Sequence, residues 1–120
     1  MAQIKYNLGN LVAEKYSTNE TVIGTWIDSK PIYRKVLLCT SNTEVSNSKN
    51  GGSWKTVPGW SKTIPNIKEY VDIRNGSVAY AKRIDHRIET DKSLKFYSLD
   101  SAIVVKVGSP LIIEYTKTTD

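Results

Sequence analysis

Few side chains in this sequence are equipped for covalent or acid–base chemistry. His86 is the only histidine and Cys39 the only cysteine, so a nucleophilic triad would have to bring His86 beside Cys39 or a serine in space. In Ile84-Asp85-His86-Arg87 the adjacent Asp85 falls on the opposite face of a strand, out of position to orient the imidazole. A glycosidase needs two carboxylates roughly 5–10 Å apart in a cleft. Here Glu69, Glu89 and Glu114 alternate with basic or apolar neighbours, the pattern of ordinary strand decoration. No phosphate-cradling glycine loop, calcium loop or clustered set of metal ligands occurs, and a lone cysteine cannot build a multi-cysteine zinc site or an internal disulfide. The expectation is a protein that is not an enzyme, with no catalytic residues, no metal site and no cofactor. His86 reads as a surface or sheet-edge residue, and Cys39, closing Val36-Leu37-Leu38-Cys39, as a buried structural thiol.

Binding chemistry is better represented. Aromatic rings beside small polar and amide side chains suit sugars, whose C–H faces stack while their hydroxyls exchange hydrogen bonds. Trp54 and Trp60 border the polar stretch Thr40–Ser53 and, with Asn50, Ser53, Lys55 and Lys62, form the candidate ligand-binding set. The competing reading is that either tryptophan plugs an end of the core; Trp26, inside an apparent strand, is read as structural. A basic, aromatic-interleaved sheet surface of Tyr70, Arg74, Tyr80, Lys82 and Arg83 would suit nucleic acid. Tyr80 falls on the apolar face of its strand, however, which breaks that platform, and nucleic acid is not the expected partner. A third possibility is that an exposed sheet face and the tryptophan-bearing loop make subunit contacts and bind no ligand.

These residues need a scaffold, and the sequence reads as all-β. The chain has 120 residues, 39% of them hydrophobic and 24% charged, enough for one domain with one core. No apolar run approaches the ~20 residues that span a bilayer, and the start of the chain lacks the pattern of a cleaved signal peptide, so no membrane insertion and synthesis in a cytoplasm are expected. The formal charge is +5, but the Lys and Arg residues are scattered, with no run longer than two, and read as a solvated surface. Three hairpins are expected. Thr21–Ile27 and Ile32–Cys39 flank Asp28–Pro31, which would pair Ile27 with Ile32, Trp26 with Tyr33 and Ile23 with Val36. Asn75-Gly76 is a favoured two-residue turn that would pair Ile73 with Val78, Val71 with Tyr80, Glu69 with Lys82 and Ile67 with Ile84, leaving Lys68, Tyr70, Asp72 and Arg74 on the other face. Gly108–Pro110 would set Val107, Val105 and Ile103 opposite Leu111, Ile113 and Tyr115, in strands β-branched enough to lie centrally. Shorter strands at Arg87–Glu89 and Leu94–Leu99 join through Thr90–Ser93. With a possible strand at Leu11–Tyr16, the total is about eight to nine, and an antiparallel β-sandwich is expected. Thr40–Ser53 should be a long exposed loop.

Two end motifs add a resemblance. Gly24-Thr25-Trp26-Ile27-Asp28 and Lys30-Pro31-Ile32-Tyr33-Arg34-Lys35 resemble the GTWIDGKPIYRK-type string of a module at the C-termini of bacteriophage tail-fibre, baseplate and head-fibre proteins. Ile112–Asp120 is similar to that module's closing LEYTK-type strand, so the resemblance brackets the chain from Tyr16 onward. Residues 1–15 would be an N-terminal connector or edge strand and 16–120 the fibre-type domain. The resemblance implies a virion structural and adhesion domain: receptor binding through a host cell-surface glycan or wall polymer, attachment to a larger phage virion protein, and a homotrimer as the leading oligomer. Ser29 stands where the motif carries glycine, which weakens the case for a turn that needs positive φ there.

Overall fold

The computed structural model describes residues 16–45, 54–62, 64–75, 84–98 and 103–120. These residues are all-β. Eight strands follow in order: β1 (Thr21–Thr25), β2 (Pro31–Leu38), β3 (Thr43–Val45), β4 (Ile67–Asn75), β5 (Ile84–Ile88), β6 (Leu94–Ser98), β7 (Ile103–Val105) and β8 (Pro110–Lys117). They form a four-stranded sheet in the order β1-β2-β8-β4 and two ribbons, β3-β7 and β5-β6, all antiparallel. Where two sheets facing each other are expected from the sequence, the described strands make three. Leu11–Lys15, part of a possible extra strand, lie outside the described residues.

β8 is central, as its β-branched composition requires, flanked by β2 and β4. Its odd residues Leu111, Ile113 and Tyr115 are fully buried, opposite Leu37, Lys35 and Tyr33 of β2. Across a shared core they meet Val45 and Val105 of one ribbon, Leu94 and Phe96 of the other, and Val57 and Trp60 from the connection between β3 and β4. The opposite face of β8 carries Glu114, which accepts from Arg34 at 2.8–2.9 Å, both residues being buried. Arg74 of β4 reaches the same carboxylate at 3.4 Å and also pairs with Asp72. An ion-pair network therefore staples the three strands together, with the Tyr16 ring 4.5 Å from the Arg34 guanidinium.

Three expected pairings change. The β1–β2 hairpin forms, but Val22 meets Tyr33 and Gly24 meets Ile32, with a bulge between Val22 and Gly24. The cause is the turn. Trp26 N donates to Lys30 O at 2.8 Å and Ser29 N to Trp26 O at 2.9 Å, so Trp26–Lys30 is loop and the strand ends at Thr25. Ser29 sits at φ 69°, a left-handed conformation despite its side chain, which corrects the inference drawn from its replacing glycine. A type I turn followed by a left-handed residue is a common three-residue hairpin connection. The register leaves Ile23 at 37% and Ile27 at 89% exposure, where the sequence pairing set each against an apolar partner.

The third hairpin does not form. Gly108 N donates to Cys39 O at 2.8 Å and Cys39 N to Ser109 O at 3.0 Å, which docks the connection onto the end of β2 and sends β7 and β8 into different sheets. β7 instead pairs with Thr43-Glu44-Val45. That strand rises from the stretch expected to be loop, because Val45, its one apolar residue, is fully buried. The second strand of the Asn75-Gly76 hairpin, residues 78–83, lies outside the described residues. Ile84, the expected partner of Ile67, pairs with Ser98. On β4, register shifts between Ile67 and Glu69 and between Tyr70 and Asp72 reset the alternation, so Tyr70, expected on the solvent face, packs against the core beside Ile73. Cys39 is buried, with Sγ 3.1 Å from Ser41 O.

Candidate functional site

The connection from β3 to β4 sorts the two candidate tryptophans. In Val57-Pro58-Gly59-Trp60, Trp60 N donates to Val57 O at 3.0 Å and Gly59 holds φ +88°. This is a type II turn, with proline pre-set at its second position and glycine where positive φ is needed. A Cβ on Gly59 would stand 2.1 Å from Leu38 O, so no other residue fits. The turn drives Trp60 inward to 1% exposure. Its ring meets Phe96 edge-on at 5.3 Å, and its Nε1 donates to Ser109 O at 2.8 Å. Trp60 is therefore a core residue, correcting its place in the candidate binding set.

Trp54 lies on the other side. Lys55 exchanges both backbone hydrogen bonds with Phe96, at 2.7 and 2.8 Å, an isolated bridge that lays residues 54–56 alongside β6. Directly opposed residues share a face. Because Phe96 points into the core, Trp54 and Thr56 fall on the outward side with Tyr97 and Lys95, while Lys55, opposite Phe96, is exposed off that face. β5 adds Asp85 opposite Tyr97 and Arg87 opposite Lys95. The outward surface is thus a ladder of two rows, Trp54-Tyr97-Asp85 and Thr56-Lys95-Arg87.

Each rung is tied down. The Trp54 and Tyr97 rings lie 5.2 Å apart, tilted by 36°, and both are half-buried. Arg87 stands 5.0 Å from the Trp54 ring, its guanidinium held in a two-point pair with Glu89 at 3.0 and 3.1 Å. Lys95 Nζ donates to Thr56 Oγ1 at 2.6 Å. Asp85 Oδ1 accepts the His86 backbone N–H at 2.8 Å, so this carboxylate serves the backbone and not the imidazole.

The turn below the ladder repeats that of β1–β2. Glu89 N donates to Ser93 O and Lys92 N to Glu89 O, both at 2.9 Å, and Lys92 holds φ 70°. Asp91 accepts from both the hydroxyl and the backbone N–H of Ser93, hydrogen bonds that hold its pKa below the usual carboxylate value. Asp28 does the same for the Lys30 N–H at 3.0 Å. Tyr70 OH donates to Lys92 O at 2.7 Å, anchoring this turn to β4. Burial, with Asp91 nearby, pushes the Tyr70 hydroxyl up to about 12.

The remaining candidates disperse. Asn50 and Ser53 lie outside the described residues; Lys62 is exposed, and among the described residues no hydrogen bond or ion pair joins it to the ladder. His86 is exposed on β5 and lines a groove with Ile73 of β4 and Ile84. In the nucleic-acid surface weighed from the sequence, Tyr80, Lys82 and Arg83 lie outside the described residues. Tyr70 faces the core and Arg74 is held in the Asp72–Glu114 network. Trp26 is half-buried in the β1–β2 turn, its Nε1 donating to Glu69 Oε1 at 3.1 Å. Among the described residues no three of His, Cys, Asp and Glu gather as a metal site would need. No protein-family model, no curated protein and no solved structure matches the chain.

Of the residues on this outward surface, sequence reasoning singled out Trp54 and not Tyr97, Thr56, Lys95, Arg87 or Asp85. The alternation in Leu94-Lys95-Phe96-Tyr97-Ser98 did contain a signal, since it separates Phe96 from Tyr97. What the sequence lacked was the pairing of residues 54–56 with β6, a contact about 40 residues apart in the chain.

Proposed function

We propose that this chain is a non-enzymatic carbohydrate-binding β domain of a phage fibre, baseplate or head-fibre protein, recognising a host-surface glycan through the outward ladder of the β5-β6 ribbon. The observation that carries the reading is the half-buried Trp54–Tyr97 pair, held by the Lys55–Phe96 backbone bridge and bordered by hydroxyl, carboxylate and guanidinium groups. An aromatic surface supplies contact area for the apolar face of a sugar ring, and the adjoining polar groups supply orientation. Ion pairing of Arg87 and hydrogen bonding of Lys95 hold the surroundings in place before a ligand arrives, which lowers the entropy cost of binding. Attachment to a virion rests on the resemblance of Gly24–Lys35 and Ile112–Asp120 to phage modules.

Retention of the purified domain by host cells or isolated wall polysaccharide tests this. Wild type is expected to bind, and Trp54→Ala or Tyr97→Ala to abolish retention while remaining folded. Equal retention of folded Trp54→Ala and wild type would end the assignment of this face.

A second reading, a purely structural oligomerisation domain, is favoured by one observation. Val22, Ile23 and Ile27 of the edge hairpin are exposed at 62%, 37% and 89%, an apolar group of the kind buried in subunit contacts. A trimer in solution that Ile27→Asp and Val22→Asp convert to monomers, without glycan retention by either form, would establish it.

A further inference from the structure

We infer that the ladder selects uncharged saccharide, although the chain as a whole is cationic; this rests on the carbohydrate-binding reading above. The formal charge of the protein is +5, and on that figure alone an anionic wall polymer or a nucleic acid would be the natural ligand. The ladder departs from the average. Its two cations, Arg87 and Lys95, are balanced by Asp85 on the same rows and by Glu89 two residues beyond Arg87. None of these groups stands as an idle anion receptor. The Arg87 guanidinium gives its Nε and Nη2 donors to Glu89, at 3.0 and 3.1 Å, one of the two-point edges with which it would otherwise grip a carboxylate or phosphate. Lys95 is turned toward the Thr56 hydroxyl at 2.6 Å.

An anionic ligand would have to break the Arg87–Glu89 pair or stand beside the Asp85 and Glu89 carboxylates, and both cost free energy. A neutral sugar ring meets no such cost. It can place its C–H face on Trp54 or Tyr97, donate a hydroxyl to Asp85, and accept from Arg87 or Lys95 without displacing either from its partner. The scattered lysines elsewhere then act on solubility and surface charge, not on recognition at this face.

The test is salt dependence on defined polymers. The whole domain is titrated with a neutral polysaccharide set (dextran, mannan and galactan) and an anionic set (polygalacturonate and poly(ribitol phosphate)), at roughly 50 and 500 mM NaCl, a range over which counterion-releasing contacts weaken steeply. Binding confined to neutral polymers, changed less than about twofold by the salt and lost in folded Trp54→Ala, is the expected result. Preference for an anionic polymer, or affinity that falls tenfold or more across that range, overturns the inference while leaving the carbohydrate-binding reading intact. If Glu89→Gln, which frees the guanidinium, leaves anionic polymers bound no better than wild type, the proposed role of that pair is also overturned. Failure to bind every polymer of both sets and host wall polysaccharide as well removes the underlying reading together with it.

Discussion

Phe96 and Tyr97 are neighbours on one strand, and each holds a tryptophan from the same connection. Phe96 points inward and takes Trp60 edge-on at 5.3 Å; Tyr97 points outward and takes Trp54 at 5.2 Å. The chemistry of the two pairs is nearly the same. Their surroundings are not: Trp60 is 1% exposed and has its Nε1–H satisfied by a backbone carbonyl, while Trp54 is half-buried and bordered by Arg87. The side-chain period of a strand is two, so a single step along β6 separates a ring that stabilises the fold from one that can meet a ligand. Aromatic composition alone assigns neither role.

Five substitutions test that contrast and the turns that frame it, beginning with the largest effect. Trp60→Ala should cost about 3–5 kcal/mol in denaturant unfolding, from lost burial and the cavity left behind. Gly59→Ala should cost about 2 kcal/mol or more, since it adds left-handed strain of roughly 1–2 kcal/mol to a clash with Leu38 O; it reports on the turn that aims Trp60. Trp54→Ala should cost less than about 1.5 kcal/mol, the scale of an aromatic pair at a half-exposed site. Equal losses for Trp54→Ala and Trp60→Ala would erase the distinction between the two faces. Ser29→Gly, remote from both, should stabilise by about 0.5–1 kcal/mol by relieving a left-handed residue, and Lys92→Gly should match it because the two turns share one geometry.

Base provides a further probe of the ladder's anchorage. The Tyr70 hydroxyl is raised in the folded state to about 12, above its ordinary value near 10. Between those values the unfolded chain loses this proton and the folded chain keeps it. Stability therefore falls as pH rises from about 10 to about 12. Tyr70→Phe should make that part of the unfolding profile shallower, leaving the fall due to Tyr115, whose hydroxyl is also pushed up by burial and Glu20, and, lacking the bond to Lys92 O, start from a lower stability at neutral pH.

The strand content was legible in the sequence wherever a local cue sufficed. Asp91 and Ser93 mark the β5–β6 turn, and Leu111-Ile112-Ile113 marks a central strand. Pairing across the chain was not legible. Apolar matching put Ile23 opposite Val36, because it cannot register a bulge or a turn that takes up Trp26 and Ile27. It joined β7 to β8 through Gly108, because contiguous β-branched strands look like a hairpin unless the Cys39 backbone that captures the turn is known. The same limit governed the site. Trp54 stood out by residue type, but Tyr97, Lys95 and Arg87 become partners only through the backbone bridge between Lys55 and Phe96, which leaves no compositional trace.

The most direct test of recognition by the outward face of β6 is the behaviour of the indole N–H groups during a titration. With the three tryptophan signals assigned by single Trp→Phe variants, host wall polysaccharide fragments are added to the isotopically labelled domain. The Trp54 signal should shift saturably while the Trp60 signal, bonded to Ser109 O inside the core, stays in place. A stationary Trp54 signal during demonstrable binding, or a shift confined to Trp26 in the β1–β2 turn, would contradict it and move recognition to another surface.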